Sequence, residues 1–264
     1  MFFSLPTWVV AVVLVALIGG ATVAGFALGR YLRKHQEVLR EPFGVLQGAL
    51  LGVVGLILAF GLTLAVGRYQ DRRAAAVAEA NAIGTSYLRA QLLAEPVRSR
   101  SLALFPVYTD LAIQISKEVP GSDGMRRTTA AEGALQRRLW RLAGRSIDSA
   151  PLASAPRLYV DSLNETFDDQ EARLSSLTNR VPGAVLALEV FGAAVAVGLL
   201  ALHISVLGRG IVAMLAAGAL VTLLLVVTFD LDRPTRGLIR IPDSPLVAVR
   251  ASMVPAPAAA APKP

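Results

Sequence analysis

The sequence VLQGALLGVVGLILAFGLTLAVG, residues 45–67, contains no charged side chain and decides the fold of this chain. It is longer than the roughly 20 residues that a helix needs to cross a hydrocarbon core of about 30 Å. Further apolar runs of comparable length occupy residues 8–29, 182–207 and 211–229. Lipid offers backbone groups no hydrogen-bonding partner, so each run must form a helix. The sequence therefore predicts an all-α, polytopic membrane protein with four transmembrane helices.

The first run has a second interpretation, because the small residues at positions 21–24 resemble the cleavage site of a signal peptide. The apolar region of a signal peptide usually spans about 7–15 residues and follows positively charged residues. Here the run is longer, and no lysine or arginine precedes Arg30. We therefore favour a retained transmembrane helix.

Two apolar runs precede a polar block and two follow it, which predicts four segments. They are transmembrane helices 1 and 2 in residues 1–67, a helical aqueous domain in 68–181, transmembrane helices 3 and 4 in 182–232, and a C-terminal segment with a disordered Pro/Ala tail in 233–264.

The polar block is expected to be a folded helical domain. It holds 16 Lys/Arg and 13 Asp/Glu, a mixture typical of a folded aqueous surface. Its apolar residues recur at intervals of three and four. Breaks near Pro96, at Pro120 and around residues 151–156 divide it into about four helices. Because no proline lies between residues 45 and 94, we expect the second transmembrane helix to continue out of the bilayer unbroken.

The net charge of +7 suggests either nucleic-acid binding or contact with a membrane surface. In a membrane protein, Lys and Arg collect at the cytoplasmic ends of the helices, next to anionic lipid headgroups. We therefore expect the lipid bilayer, and no nucleic acid, as a partner. Near the ends of the runs, eight Lys/Arg lie on the side of the polar block and five on the other. This asymmetry predicts a membrane protein whose termini and central domain are cytoplasmic.

Motifs of catalysis are missing from the sequence. There is no cysteine, and there are only two histidines. We find no Gly-x-Ser-x-Gly, no phosphate-cradling loop and no His/Asp/Glu cluster at metal-ligand spacing. The sequence predicts that the protein is not an enzyme.

Glycines at four-residue intervals mark one face of the second apolar run: Gly44, Gly48 and Gly52. Small residues let another helix approach closely. That helix is either part of the same chain or the second helix of another copy, gathered with it around an axis. In the latter arrangement Leu56 and Phe60, one turn apart, form stacked apolar rings of the kind that gate a pore by dewetting.

Two ionisable residues, Glu189 and His203, lie in the third apolar run, on nearly the same face of a helix. Ionisable residues inside a membrane are candidates for function, here in an ion pathway or in proton transfer. The alternative is that each side chain extends to the nearby membrane interface.

Two carboxylates, Asp230 and Asp232, follow the last apolar run. Carboxylates at the C-terminus of a helix oppose its dipole, so we expect them to pair with Arg233 and Arg236. A cation such as calcium is the alternative, with further ligands from backbone carbonyls or another subunit.

Three parts of the sequence carry a family resemblance. EPFG at residues 41–44 leads into the glycine-rich run, LNETFD at 163–168 precedes RVP at 180–182, and FDLDRP at 229–234 precedes RGLI at 236–239. Together with the two-plus-two layout, these segments resemble the bacterial bestrophin-like domain family, a membrane domain of unknown function. The resemblance covers most of the chain and implies a multi-pass protein of the bacterial inner (plasma) membrane.

A more distant similarity connects the second run with bestrophins proper. LILAF at residues 56–60, followed by GRYQDRR at 67–73, is similar to the end of their second transmembrane helix. The resemblance implies that Phe60 is a neck residue. It places three further residues at the junction of membrane and cytoplasm: Arg68, Tyr69 and Arg73.

Bestrophins are pentameric chloride or cation channels with a helical cytoplasmic block between the second and third spans. The resemblance therefore implies a homo-oligomer, with the pentamer of the bestrophins as its expected form, and small ions as the permeating species. Animal members bind calcium in an acidic clasp after the last span. Asp230 and Asp232 stand at about that place, without the longer acidic run.

These observations favour an oligomeric ion channel, with anions preferred and a pore lined by the second transmembrane helix. The alternative is a non-conducting membrane scaffold or sensor whose cytoplasmic helices bind a partner. No cofactor is expected, and calcium at Asp230 and Asp232 is the alternative.

Overall fold

The structure is a computed structural model that describes residues 6–32, 40–207 and 210–253, excluding the side chains of residues 40–46. Within this part of the chain all regular structure is helical, which confirms the all-α prediction. The helices are α1 Thr7–Leu32, α2 Arg40–Ala90, α3 Val97–Ile115, α4 Asp123–Ser149, α5 Ser154–Thr178, α6 Gly183–Leu207, α7 Ile211–Leu231 and α8 Ser244–Ser252. The Pro/Ala tail predicted to be disordered lies outside the described residues.

The four predicted transmembrane helices are present as α1, α2, α6 and α7. Each contains a stretch long and apolar enough to cross a membrane. Helix α2 has 51 residues, which at about 1.5 Å per residue gives a length of roughly 75 Å. As expected from the lack of proline, it continues unbroken past the apolar run that ends at Gly67.

The chain forms two compact units, each built from two separated stretches of sequence. One, the membrane unit, combines the residues up to Tyr69 with Arg180–Arg240. The other, the polar unit, combines Gln70–Asn179 with the residues from Ile241 onward. Helix α2 therefore contributes its first part to the membrane unit and its second part to the polar unit.

Close backbone contact joins α1 and α6 in the membrane unit. A Cβ atom added at Gly25 would overlap the backbone carbonyl of Gly198, so α1 has no room for a larger residue at this crossing. Nearby, the hydroxyl of Ser205 donates a hydrogen bond to the carbonyl oxygen of Phe26, at 2.8 Å. Small residues at a crossing let helices in lipid gain van der Waals contact and polar bonds between them.

The polar unit has its own apolar core. Phe105 stacks edge-on against Tyr87 and Tyr159, with ring centroids 6.1 and 6.5 Å away. Such T-shaped aromatic contacts are favourable. The same cluster includes Leu139 of α4 and Leu246 of α8, both fully buried. The core therefore draws on α2, α3, α4, α5 and α8.

The short helix α8 lies in the C-terminal segment and was not predicted. It packs against α3 and belongs to the polar unit. Its nine residues are too few to give a clear periodic signal, and Pro245 stands in its first turn. Helices this short are marginal alone, so burial of Leu246 accounts for its place in the fold.

Candidate functional site

The part of α2 in the membrane unit has two different faces. Val54, Leu58 and Ala65 are buried, and their spacing of four and seven residues places them on one side of the helix. On the other side, Leu56 is 57% exposed and Phe60 is 64% exposed. The described chain thus leaves an apolar face of α2 uncovered, and both pore candidates lie on it.

The glycines of this helix are also uncovered within the chain. No described atom lies within 4 Å of a Cβ position built at Gly48 or Gly52. Gly44 lies in the helix but among the residues whose surroundings are not described. At Gly48 and Gly52, packing within the chain is therefore absent from the described structure, which leaves a second copy or lipid to cover them.

The three candidates at the end of the apolar run occupy different surroundings. Arg68 is half-buried, and Tyr69 packs against the apolar core of the membrane unit. Arg73 belongs to the polar unit and is exposed.

Glu189 is fully buried in the membrane unit, and neither carboxylate oxygen has a hydrogen-bond partner among the described residues. The carboxylate lies against Gly61 of α2, where an added Cβ would occupy its place. Glycine at position 61 is therefore what makes room for this acid. Gly61 belongs to the covered face of α2, so the carboxylate is directed away from the face of Leu56 and Phe60.

His203, the second ionisable candidate of α6, is half-buried. At about 1.5 Å per residue, roughly 21 Å of helix separates it from Glu189. The two residues share a helix but do not form one site.

The carboxylate of Asp230 holds the backbone that follows α7. Its Oδ1 accepts hydrogen bonds from the amide of Leu238 at 2.8 Å and from the hydroxyl of Thr7 at 3.1 Å. Its Oδ2 accepts from the amide of Ile239 at 2.8 Å. Charge-assisted bonds of this kind are about twice as strong as neutral ones. Asp230 therefore binds its own chain with both oxygens.

Asp232 has a similar role next to the start of α6. Its Oδ1 accepts a hydrogen bond from the amide of Val181 at 3.0 Å. Burial lowers the pKa of Arg233, and the negative charges of Asp230 and Asp232 oppose that shift. Arg233 thus lies close enough to interact with both carboxylates, beside the backbone contacts that the sequence did not predict. Among the described residues, no three His, Cys, Asp or Glu side chains form a group that could hold a metal ion.

A comparison with known protein families matches a region that includes residues of all four apolar helices. A model of the Bestrophin-like domain matches residues 10–246, nearly the whole chain. The chain belongs to the Bestrophin-like domain family.

Solved structures support the fold of this bestrophin-like chain. A bacterial Bestrophin homolog from Klebsiella pneumoniae with a tyrosine-to-alanine mutation matches with a TM-score of 0.68 at 13% identity, over 91% of this chain and 97% of that chain. A structure of the homolog phased with zinc matches with a TM-score of 0.68 at 12% identity, over 91% and 95%. A membrane protein with a proline-to-alanine mutation gives 0.66 at 12% identity, over 89% and 97%. No curated protein sequence matches significantly.

A buried ion pair in the polar unit of this bestrophin-like protein was not predicted from the sequence. Arg173 of α5 forms a salt bridge with Glu79 of α2, and both side chains are almost fully buried. The same guanidinium donates to the carbonyl of Ala112 at 2.8 Å and to the hydroxyl of Ser116 at 2.7 Å. A buried charge needs such partners. The arginine therefore connects α5 with α2 and with the C-terminal end of α3.

A second buried carboxylate lies near this pair. Glu132 of α4 accepts a hydrogen bond from the side-chain amide of Gln170 at 2.7 Å. Burial, together with the negative charge of Glu79, raises the pKa of Glu132 to about 8. Glu132 is consequently mostly protonated at neutral pH. Its place among apolar residues at helical spacing was the only sign of burial in the sequence.

Arg72 fixes the end of α5 to α2 within the polar unit. Its Nε donates to the carbonyl of Ser176 at 3.2 Å, and its Nη2 donates to the carbonyl of Asn179 at 2.8 Å. The last carbonyls of a helix have no partner inside the helix, and an arginine can satisfy them. This buried residue stands one position before Arg73, so sequence alone could not tell the structural arginine from the exposed one.

Proposed function

We propose that this protein is an oligomeric ion channel whose pore is lined by α2. The observation that carries the proposal is the uncovered apolar face of α2 with Leu56 and Phe60. A helix face that its own chain leaves open is available to the α2 helices of other copies. Four transmembrane helices in one copy are too few to enclose a pore, so the pore requires a homo-oligomer. The family resemblance suggests five copies, in a bacterial inner membrane with the polar unit in the cytoplasm.

An apolar ring suits the role of a gate. Large apolar side chains at a constriction exclude water unless the constriction widens. Leu56 and Phe60 lie one turn apart, and each is more than half exposed. In a symmetric oligomer, each would contribute one side chain per copy to one of two stacked rings.

We favour anions as the permeating species. Glu189, the charged residue in the apolar runs, faces the covered side of α2, so it adds no negative charge to the proposed pore face. Arg68 follows at the end of the run. The proposed pore therefore combines a neutral apolar wall with positive charge near one end.

The test is a conductance measurement on purified protein in planar bilayers. Replacing Phe60 with Ala removes the bulk of one ring, so we expect Phe60→Ala to raise the current several-fold. Phe191→Ala is the matched control, because Phe191 lies on α6 and is 69% exposed, similar to Phe60. Its substitution should leave the current unchanged. Reversal potentials in a salt gradient then give the sign of the permeating ion.

The oligomeric state separates the channel from the non-conducting alternative. The chain has no cysteine, so Leu56→Cys introduces a single thiol. We expect oxidation to join two copies through this position, whereas Val23→Cys on the exposed surface of α1 should not be joined. A stable monomer without current would contradict the channel and favour a membrane scaffold or sensor.

A further inference from the structure

Helix α4 has an apolar face on one side and a strongly basic face on the other. Leu135, Leu139 and Leu142 are buried in the core of the polar unit. The other side of the same segment exposes arginines at positions that follow the helical repeat: Arg137, Arg138, Arg141 and Arg145. The apolar face accounts for packing, but packing does not account for this concentration of positive charge.

A cavity of about 440 Å³ lies between α3 and α4 of the polar unit. Its walls include Ala103 and Leu104 of α3 and Leu142 of α4. Four of its lining residues are arginines: Arg100, Arg138, Arg141 and Arg145. No carboxylate lines it. A concave surface with a single sign of charge attracts ions of the opposite charge, here anions.

These arginines have no ion-pair partner within the described residues. The salt bridges of the polar unit use other side chains, such as Arg89, Arg173 and Arg250. Like charges three or four residues apart on a helix repel each other, as at Arg138 with Arg141. Bound negative charge would remove this repulsion.

A second cavity, of about 690 Å³, lies between α4 and α5 and borders the first. It shares Arg138 and Arg141 as lining residues. It also contains Trp140 and Phe167, whose ring centroids are 6.3 Å apart with an angle of 56° between the planes. The amide of Asn164 lies in the same wall. The second cavity thus offers aromatic surface and one neutral polar side chain.

We propose that the two cavities form a binding site for an organic polyphosphate, with a nucleoside triphosphate as the best fit. The phosphates lie between the arginines, because the planar guanidinium group matches phosphate oxygens in a two-point hydrogen-bonding geometry. The planar ring of the ligand lies against Trp140, since aromatic surfaces stack on bases. Asn164 contributes hydrogen bonds to the ring edge. Conduction is not needed for this site to exist.

The protein supplies its own probe. Its two tryptophans are Trp8 and Trp140, so Trp8→Phe leaves Trp140 as the only tryptophan. We expect ATP, added to this full-length variant in neutral detergent, to quench the fluorescence of Trp140 in a saturable manner. Calorimetry measures binding of tripolyphosphate, which carries the charge without the ring, and of inositol hexakisphosphate.

Substitutions in the two cavities distinguish the two parts of the site. Arg141→Ala should weaken ATP and tripolyphosphate binding about tenfold or more, as loss of a charged hydrogen bond does. Trp140→Ala, measured by calorimetry, should weaken ATP binding and leave tripolyphosphate binding unchanged. The control is Arg127→Ala, an exposed arginine of the same helix that lines neither cavity.

Two results would overturn the proposal. In one, Arg127→Ala weakens binding as much as Arg141→Ala, which would mean that ATP responds only to the overall positive charge. In the other, no soluble polyphosphate binds and the protein responds only to vesicles that contain anionic lipid, which would assign the arginines to a membrane surface. Because Arg127, Arg141 and Trp140 are exposed, each variant is expected to fold, and circular dichroism verifies this.

Discussion

At the scale of single residues, burial determines the chemistry of the polar unit. Glu132 and the Glu79–Arg173 pair have ionisable side chains that are buried in the fold. A buried carboxylate either finds a cation or keeps its proton. Glu79 has Arg173 as its partner, whereas Glu132 has the neutral amide of Gln170. Burial raises the pKa of both carboxyl groups, and it is opposed by Arg173 at Glu79 and by Gln170 at Glu132.

The raised pKa of Glu132 predicts how stability depends on pH. The pKa of Glu132 rises from an ordinary 4.5 to about 8 on folding. A carboxyl whose pKa is raised by folding favours the folded state at low pH, and that contribution is lost as pH rises from about 4.5 to about 8. We expect the free energy of unfolding to fall by up to about 1.4 kcal/mol per pH unit in this window. Thermal unfolding in detergent at a series of pH values measures it.

The variant that tests this prediction replaces the ionisable carboxyl group by a neutral amide of the same size. Glu132→Gln keeps an oxygen that can accept from Gln170, so the fall in stability across the window should become smaller, and the part due to the raised pKa of Glu79 should remain. Glu171→Gln, at an exposed position of α5, should retain the pH dependence of the natural chain. Equal slopes in the Glu132→Gln variant and the natural chain would show that another group is responsible.

At the scale of elements, α1 and α2 use small residues in different ways. Gly25 of α1 meets the backbone of α6, whereas Gly48 and Gly52 of α2 meet no described atom. All three glycines lie in apolar segments of their helices. A stripe of small residues thus allows another helix to approach closely. Whether that helix belongs to the same chain depends on the tertiary packing.

A substitution pair in α1 tests this distinction. Gly25→Val places a side chain into the carbonyl of Gly198, so we expect it to lower stability by about 1–3 kcal/mol or more, the range for overpacking. Gly19→Val makes the same chemical change in the same helix where no atom lies within 4 Å, and it should have little effect. Thermal unfolding and size-exclusion profiles in detergent compare the two. Equal tolerance would contradict the α1–α6 crossing.

At the scale of the whole molecule, both units are discontinuous in sequence. The last helix of the polar unit is α8, which follows the last transmembrane helix along the chain. Leu246 of α8 is fully buried among residues of α2, α3, α4 and α5. The segment after the membrane helices is therefore part of the fold up to Met253, which is also buried.

We expect Leu246→Ala to destabilise the polar unit by about 2–5 kcal/mol, the cost of removing a buried leucine side chain. Val247→Ala is the matched control, because the neighbouring side chain is 46% exposed. Limited proteolysis should cut the Leu246→Ala variant faster within residues 97–178, and the Val247→Ala variant should resemble the natural chain. Equal resistance of the two variants would mean that α8 does not support the core.

Sequence predicted the elements better than the contacts between them. Long apolar runs specify helices because lipid leaves the backbone no other way to satisfy its hydrogen bonds. The sequence predicted arginines as the partners of Asp230. The structure adds the backbone amides of Leu238 and Ile239, which the sequence did not predict. The pairing of Glu189 with Gly61 was not foreseen, because 128 positions separate them.

By itself, the sequence determined that this is an all-helical membrane protein with four spans, and its motifs determined the family. Both conclusions depend on residues close together in the chain. Only the tertiary structure decided which side of α2 is covered, where the carboxylate of Glu189 lies and that α8 completes the polar unit. Packing sets these features, because each depends on atoms from distant segments that meet only when the helices assemble.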